Sequence, residues 1–224
     1  MRYADRASTG SIPPSSRNHS LGYRSGAIFN TLKPSQDSTL AVFGCGAVGM
    51  AAILAAKHLG VQTIIAVDLV QSRLDLAREF GATHAVIGSD QDVLDQIRSH
   101  TKWKLGVTHA VEATGVLPVL KTAFDSLASF GHLASIGNPG VGITPPFEIN
   151  DVVNGGKTWS GIIMGGGDPR QVSIRNPRLT PLLIIWGFQA LPFLIELHRE
   201  GRFPLEKMSR YYAFDDFDKA MHDM

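Results

Sequence analysis

The sequence predicts an α/β fold built on a doubly wound parallel sheet, and three observations predict it. Short, nearly continuous apolar runs recur between Thr39 and Ile163; stretches with helical spacing alternate with them; and a glycine-rich turn joins the first run to the first helix. Strands that are apolar throughout suit a sheet covered on both faces. Strands that alternate with helices of this length imply right-handed βαβ units.

The elements follow in order. Thr39–Phe43 is a short apolar run ending in glycine and reads as a buried strand. Ala47–Leu59, rich in Ala, Leu and Ile, reads as a helix stopped by Gly60. Thr63–Val67 is a second strand, and Ser72–Phe80 a helix stopped by Gly81. His84–Ile87, Val107–Glu112, His132–Ile136 and Thr158–Ile163 read as further strands, with helices over Asp92–Ser99 and Val116–Leu127. Beyond them, Leu191–Glu200 reads as a helix, Met208–Phe214 as a strand and Asp215–Met224 as the start of another helix.

Composition bounds the function. The chain has 224 residues, 44% hydrophobic and 18% charged, with a formal net charge of +1. That is enough for one full domain and part of a second. No basic footprint for nucleic acid or an anionic membrane surface is present. The apolar run Leu182–Phe188 covers only about a third of the roughly 20 residues needed to cross a bilayer. A lone cysteine, Cys45, excludes an internal disulfide and any multi-cysteine metal site, and fits a reducing, cytoplasmic setting. Residues 1–20 are rich in Ser, Arg and Pro; they read as a disordered or mispredicted leader, with a transit peptide as the other reading.

The chemistry lies in Gly44-Cys45-Gly46-Ala47-Val48-Gly49, which follows a strand and opens a helix. An acid, Asp68, ends the next strand 24 positions after Gly44. Alone such glycines are weak evidence; with strand, helix and acid they meet the context of a dinucleotide fingerprint. Gly44 permits the tight turn, Gly46 leaves room for a pyrophosphate, and Gly49 lets the helix lie close to the sheet. Free N–H groups of the first turn, including those of Ala47 and Val48, would face the diphosphate, where the helix dipole favours negative charge. Asp68 can accept the adenosine ribose hydroxyls and would repel a 2′-phosphate, so NAD is favoured over NADP. Arg73 could lie over the adenine or ribose and leaves some tolerance for NADP. The competing reading is a methyltransferase or flavoprotein that uses these glycines only for packing. Cys45 reads as a small buried filler.

The run Gly44–Ala56, Ile65-Ala66-Val67-Asp68, Ser72-Arg73-Leu74 and Phe80-Gly81-Ala82-Thr83-His84 resembles the zinc-dependent alcohol dehydrogenases of the medium-chain family, in particular the aryl-alcohol branch. Val111-Glu112-Ala113-Thr114-Gly115, Gly156-Lys157-Thr158-Trp159 and Gly201-Arg202-Phe203-Pro204 extend the match, which runs from about Leu21 to the end with one gap. The resemblance implies a Rossmann domain and hydride transfer between an alcohol and NAD at a catalytic zinc. It implies that Thr114, Gly115, Ile136, Gly137 and Asn138 lie near the nicotinamide. It also implies assembly of copies through the sheet edge near Thr158–Ile163.

The same resemblance implies what to expect of the remainder. The family's zinc ligands come from a preceding catalytic domain, which this chain is expected to lack. The last ligand cysteine falls at Leu21, and leucine cannot bind zinc. Residues 21–38 then read as a domain-joining segment, 39–169 as the NAD-binding domain, and 191–224 as a truncated remnant of the catalytic domain. The eight histidines, among them His58, His84, His109 and His132, show no metal-ligand spacing. Neither a catalytic residue nor a metal site is assigned, and Glu112 reads as cofactor-side or structural.

Residues 170–190 interrupt the family pattern. Removing Val172–Gln189, 18 residues, restores its spacing. Val172-Ser173 can be encoded by a splice donor and Phe188-Gln189 by an acceptor, so the segment reads as a retained intron; a genuine amphipathic insertion is the rival. For the whole chain the rivals are a non-catalytic nucleotide-binding module, an incomplete gene product, and a zinc-free NADPH-dependent reductase of the same superfamily.

Overall fold

Val, Ile, Leu and Ala fill the central strands, which are buried on both faces, and the sheet is parallel throughout. The computed structural model describes residues 26–163, 165, 198–201, 205–208 and 211–222. Six strands make the sheet: β1 Thr39–Phe43, β2 Thr63–Asp68, β3 His84–Ile87, β4 Val107–Glu112, β5 Leu127–Ser135 and β6 Thr158–Gly161. Their order is β3-β2-β1-β4-β5-β6. This is the doubly wound order of a Rossmann domain, with the switch point between β1 and β4. Val42 of β1 sits between Ala66 of β2 and Val111 of β4, so the register at the switch point is unbroken.

Period-two alternation sends the strand residues to two cores. Leu40, Val42, Ile64, Ala66, Val111 and Ala134 face helices α1 (Ala47–His58) and α2 (Gln71–Phe80). Ala41, Phe43, Ile65, Val67, Ala110 and Leu133 face α3 (Val93–Ser99) and α4 (Leu117–Asp125). α1 lies so close to the sheet that its small side chains Ala51, Ala52, Ala55 and Ala56 are buried with Met50 and Ile53. α2 is one-sided: Leu74, Ala77 and Phe80 are buried at helical spacing. α4 carries Pro118 in its first turn, where the missing N–H costs nothing, and buries Leu120, Ala123 and Phe124.

The structure departs from the sequence reading at several places. β5 starts at Leu127, five residues before the expected His132, because its pairing with β4 shifts between Val107 and His109. At that irregularity Phe130 takes φ 61° and turns outward, which breaks the apolar alternation that marks a strand. α4 accordingly ends at Asp125 rather than Leu127. β6 ends at Gly161, short of Ile163. A further helix, α5 (Ile149–Gly155), was not expected; it is short, Ile149 and Val153 are exposed, and only Val152 packs on the core.

At the C-terminal end, no strand forms among the described residues of Met208–Phe214. Leu205–Met208 and Phe214–Asp216 are 3-10 turns, and Tyr211–Ala213 is irregular. Tyr211 and Phe214 are exposed, and no neighbouring strand offers them a ladder. The expected last helix is present as α6 (Phe217–His222). The leader, Leu21, the 170–190 insertion and most of the Leu191–Glu200 helix lie outside the described residues.

Candidate cofactor site

The C-terminal ends of β1, β2 and β4 meet the N-terminus of α1, and a cleft of about 420 Å³ opens there. Gly44, Gly46, Ala47, Val48, Gly49, Asp68, Arg73 and Thr114 all line it. The structure thus brings together eight of the residues singled out from sequence. It adds Leu69, Val70, Gly88, Val93, Val116 and Val119, which give the cleft apolar walls. Gly88 and Val93 follow β3, so the rule that ligands sit beyond the carboxyl ends of the strands is the signal that points to them.

Two glycines of the turn are fixed by space and conformation. Gly44 takes φ 87°, and a Cβ there would also meet the Thr114 methyl at 2.6 Å. A Cβ on Gly49 would lie 1.9 Å from the Gly44 carbonyl oxygen, so any side chain must push the backbone apart. Gly46 differs, because a Cβ added there meets nothing within 4 Å. The space in front of Gly46 belongs to the cleft, not to the core. As N-cap it has no side chain to cap the first turn of α1, and no acid stands in that turn. The unpaired N–H groups of a helix start therefore face an open cleft, which is an anion-binding arrangement. This is an observation of fit: the loop leaves room where a diphosphate needs it.

Asp68 is 8% exposed at the end of β2. One carboxylate oxygen accepts the Cys45 N–H at 2.7 Å, and the other accepts the Val70 N–H at 2.9 Å. Arg73 Nη1 stands 3.9 Å from Asp68 Oδ1 and is mostly exposed. Asp68 thus ties the glycine turn to β2 as well as lining the cleft, a second duty that the sequence did not show. Cys45 is buried beneath the turn. Burial, and then the Asp68 charge, push its thiol up to about 12.

A second cavity of about 470 Å³ lies beyond β4 and β5 and holds Gly115, Ile136, Gly137 and Asn138 together with Glu112, Ser135, Trp159 and Ile162. Sequence-selected residues therefore divide between two neighbouring hollows. Thr114 lines the first and Gly115 the second. The loops after β4 and β5 touch backbone to backbone: a Cβ on Gly137 would fall 2.0 Å from the Gly115 nitrogen. Glu112, 1% exposed, holds the first of these loops. Its Oε1 accepts from the Thr114 N–H at 2.6 Å, the Thr114 hydroxyl at 2.5 Å and the Gly115 N–H at 2.9 Å.

Among the described residues, no group of three or more His, Cys, Asp or Glu side chains could hold a metal ion. The donor set for zinc does not fit these residues, and no step is derived through it. Among the same residues, no helix is long and apolar enough to cross a membrane.

A parallel sheet in this order, flanked by helices on both faces, defines a Rossmann-type α/β domain. The chain belongs to the zinc-binding dehydrogenase family, whose model matches residues 47–176. It is 28% identical over 198 residues to geraniol dehydrogenase of Castellaniella defragrans, a match covering 88% of this chain and 48% of the relative. Its structure is similar to that of benzyl alcohol dehydrogenase from Acinetobacter calcoaceticus, with TM-score 0.79, 35% identity, and coverage of 96% of this chain and 55% of the other. The chain thus spans about half the length of the relatives it matches. Two more distant proteins share the fold. One, from Escherichia coli CFT073, is complexed with NADH (TM-score 0.59, 16% identity, 78% of this chain and 47% of that one). The other, from Sinorhizobium meliloti, is bound to NADP (TM-score 0.64, 21% identity, 85% and 49%).

Proposed function

We propose that this chain is the cofactor-binding half of an NAD-dependent alcohol dehydrogenase acting on a primary, in particular an aromatic, alcohol. The observation that carries the reading is the empty space before Gly46, bounded by an uncapped helix start on one side and the Asp68 carboxylate on the other. Bound NAD supplies the hydride acceptor. The chain's own residues bind and orient it. The start of α1 receives the diphosphate, Asp68 accepts ribose hydroxyls, and Thr114, Gly115, Ile136 and Gly137 bound the space for the nicotinamide. A 2′-phosphate would meet the Asp68 charge, which opposes the reading as a zinc-free NADPH-dependent reductase. Arg73 beside Asp68 is the one group here that favours that second reading.

The remaining parts of the proposal rest on the same relatives. Residues 39–169 form the NAD-binding unit, joined by 21–38 to a zinc-bearing catalytic part as in the aryl-alcohol dehydrogenases it resembles. The setting is cytoplasmic. Copies associate through β6, an edge strand with Trp159 exposed and with the exposed Ile163 just beyond its end. A polypeptide of these 224 residues is expected to bind NAD without oxidising benzyl alcohol. The test is an assay of the purified chain with benzyl alcohol, NAD and zinc, alongside NAD and NADP titrations. Robust turnover contradicts the expectation of inactivity, and tighter binding of NADP than NAD contradicts the cofactor assignment.

A further inference from the structure

Asp68 and Glu112 are the carboxylates buried among the described residues, and only Asp68 belongs to the glycine fingerprint. The two oxygens of Glu112 have different surroundings. Oε1 is saturated by the three donors of Thr114 and Gly115. Three donated hydrogen bonds on one oxygen favour the charged form of this carboxyl group, the stronger acceptor. Oε2 lies at Gly137, where an added Cβ would come within 2.8 Å of it. Glu112 lines the second cavity there, and no Lys or Arg shares that lining. Among the described residues no ion pair reaches it. It is held, among the described residues, by backbone and hydroxyl dipoles, at the wall of a cavity whose other walls include Leu117, Leu120, Ile136 and Ile162.

We propose that Glu112 is a specificity-determining residue that raises the affinity of this chain for the oxidised, cationic nicotinamide ring relative to the neutral reduced ring. The inference rests on the reading that the second cavity receives the nicotinamide. The oxidised ring carries a formal positive charge and the reduced ring carries none. A fixed carboxylate at a weakly solvated wall attracts the first and leaves the second almost unaffected. The effect therefore falls on the ratio of the two dissociation constants, whereas a purely structural role in holding Thr114 and Gly115 would weaken both redox forms together.

The experiment titrates NAD and NADH into the wild-type chain and Glu112→Gln by calorimetry, with far-ultraviolet circular dichroism to check folding. Gln keeps the shape and one acceptor oxygen but removes the charge. The expected result is a loss of NAD affinity on the order of tenfold, with NADH affinity changed by less than about twofold. Equal weakening of both forms, or no change in either, overturns the inference while leaving the cofactor reading in place. Failure of the wild-type chain to bind either form overturns the reading and the inference together. A second measurement needs no variant. Ligand-detected NMR on the wild-type chain with ADP present compares cationic 1-methylnicotinamide with neutral nicotinamide. Tighter binding of the cation by about tenfold is expected. Equal binding, or preference for the neutral ring, overturns the proposal even if Glu112→Gln fails to fold.

Discussion

Gly46 and Gly49 stand three positions apart in one turn, and they do different work. The Gly49 Cβ position is filled by the Gly44 carbonyl, so Gly49→Ala must separate α1 from β1. We expect a cost of about 1–3 kcal/mol, read as a lower urea midpoint with an unchanged slope. Gly46 has φ −74° and open space before it, so any L-residue fits the backbone. Gly46→Val should melt within a few degrees of wild type and yet fill the cleft. A large loss of stability in Gly46→Val would show that the space serves packing instead. Cys45 gives a third test at this scale. Burial raises its thiol to about 12, so at pH 8 almost no thiolate is present. The chain holds one cysteine, and iodoacetamide should label it only in denaturant. Rapid stoichiometric labelling of the native protein would refute that. The turn at Gly44 and the close approach at Gly49 were legible in the sequence because one backbone shape demands glycine there. The sequence could not show that Asp68 also holds the Cys45 N–H, since that bond joins residues 45 and 68 only once β1 and β2 lie side by side.

At the scale of elements, β4, β5 and β6 carry a row of polar side chains into the sheet. His109 of β4 is paired in register with His132 of β5, and His132 Nε2 shares a 2.8 Å hydrogen bond with Ser160 Oγ of β6. Burial lowers the His109 pKa, with a smaller contribution from neighbouring His132, and burial lowers that of His132. The sign follows directly. The unfolded chain takes up these protons first as pH falls below about 6.5, so stability is full above that value and declines until the folded-state pKa values are reached. Urea midpoints should therefore fall between pH 7.5 and pH 5.5. The double variant His109→Gln/His132→Gln should flatten that dependence, and an unchanged slope would sink the assignment. The same elements mark where the sequence was hard to read. Strands β1 and β2 were legible because both their faces are apolar, and β3 and β4 because each keeps a short apolar run between helices. β5 was read only from His132 onward, because the irregularity near Phe130 interrupts its pattern. α5 was missed because it is short and two of its three apolar side chains, Ile149 and Val153, are exposed.

For the whole molecule, the doubly wound topology places every fingerprint residue at one end of the sheet, although they come from β1, α1, β2, α2 and the loop after β4. Fold class was legible in the sequence because alternating strands and helices admit few topologies. The division of the site into two hollows was not, because it depends on Gly115 and Gly137 meeting across two loops. Assembly belongs to this scale too. If β6 joins two copies, multi-angle light scattering should report twice the chain mass of 24.2 kDa, and Trp159→Glu should return it to one. A wild-type monomer at tens of micromolar would contradict that mode of association.

The claim on which the rest depends is that NAD occupies the cleft before Gly46. Calorimetric titration of NAD into the wild-type chain and into Gly46→Val tests it most directly. The account predicts saturable one-site binding by the wild type and none by a variant that melts normally. Binding of NAD by Gly46→Val with wild-type affinity, or no binding by the wild type, would contradict it.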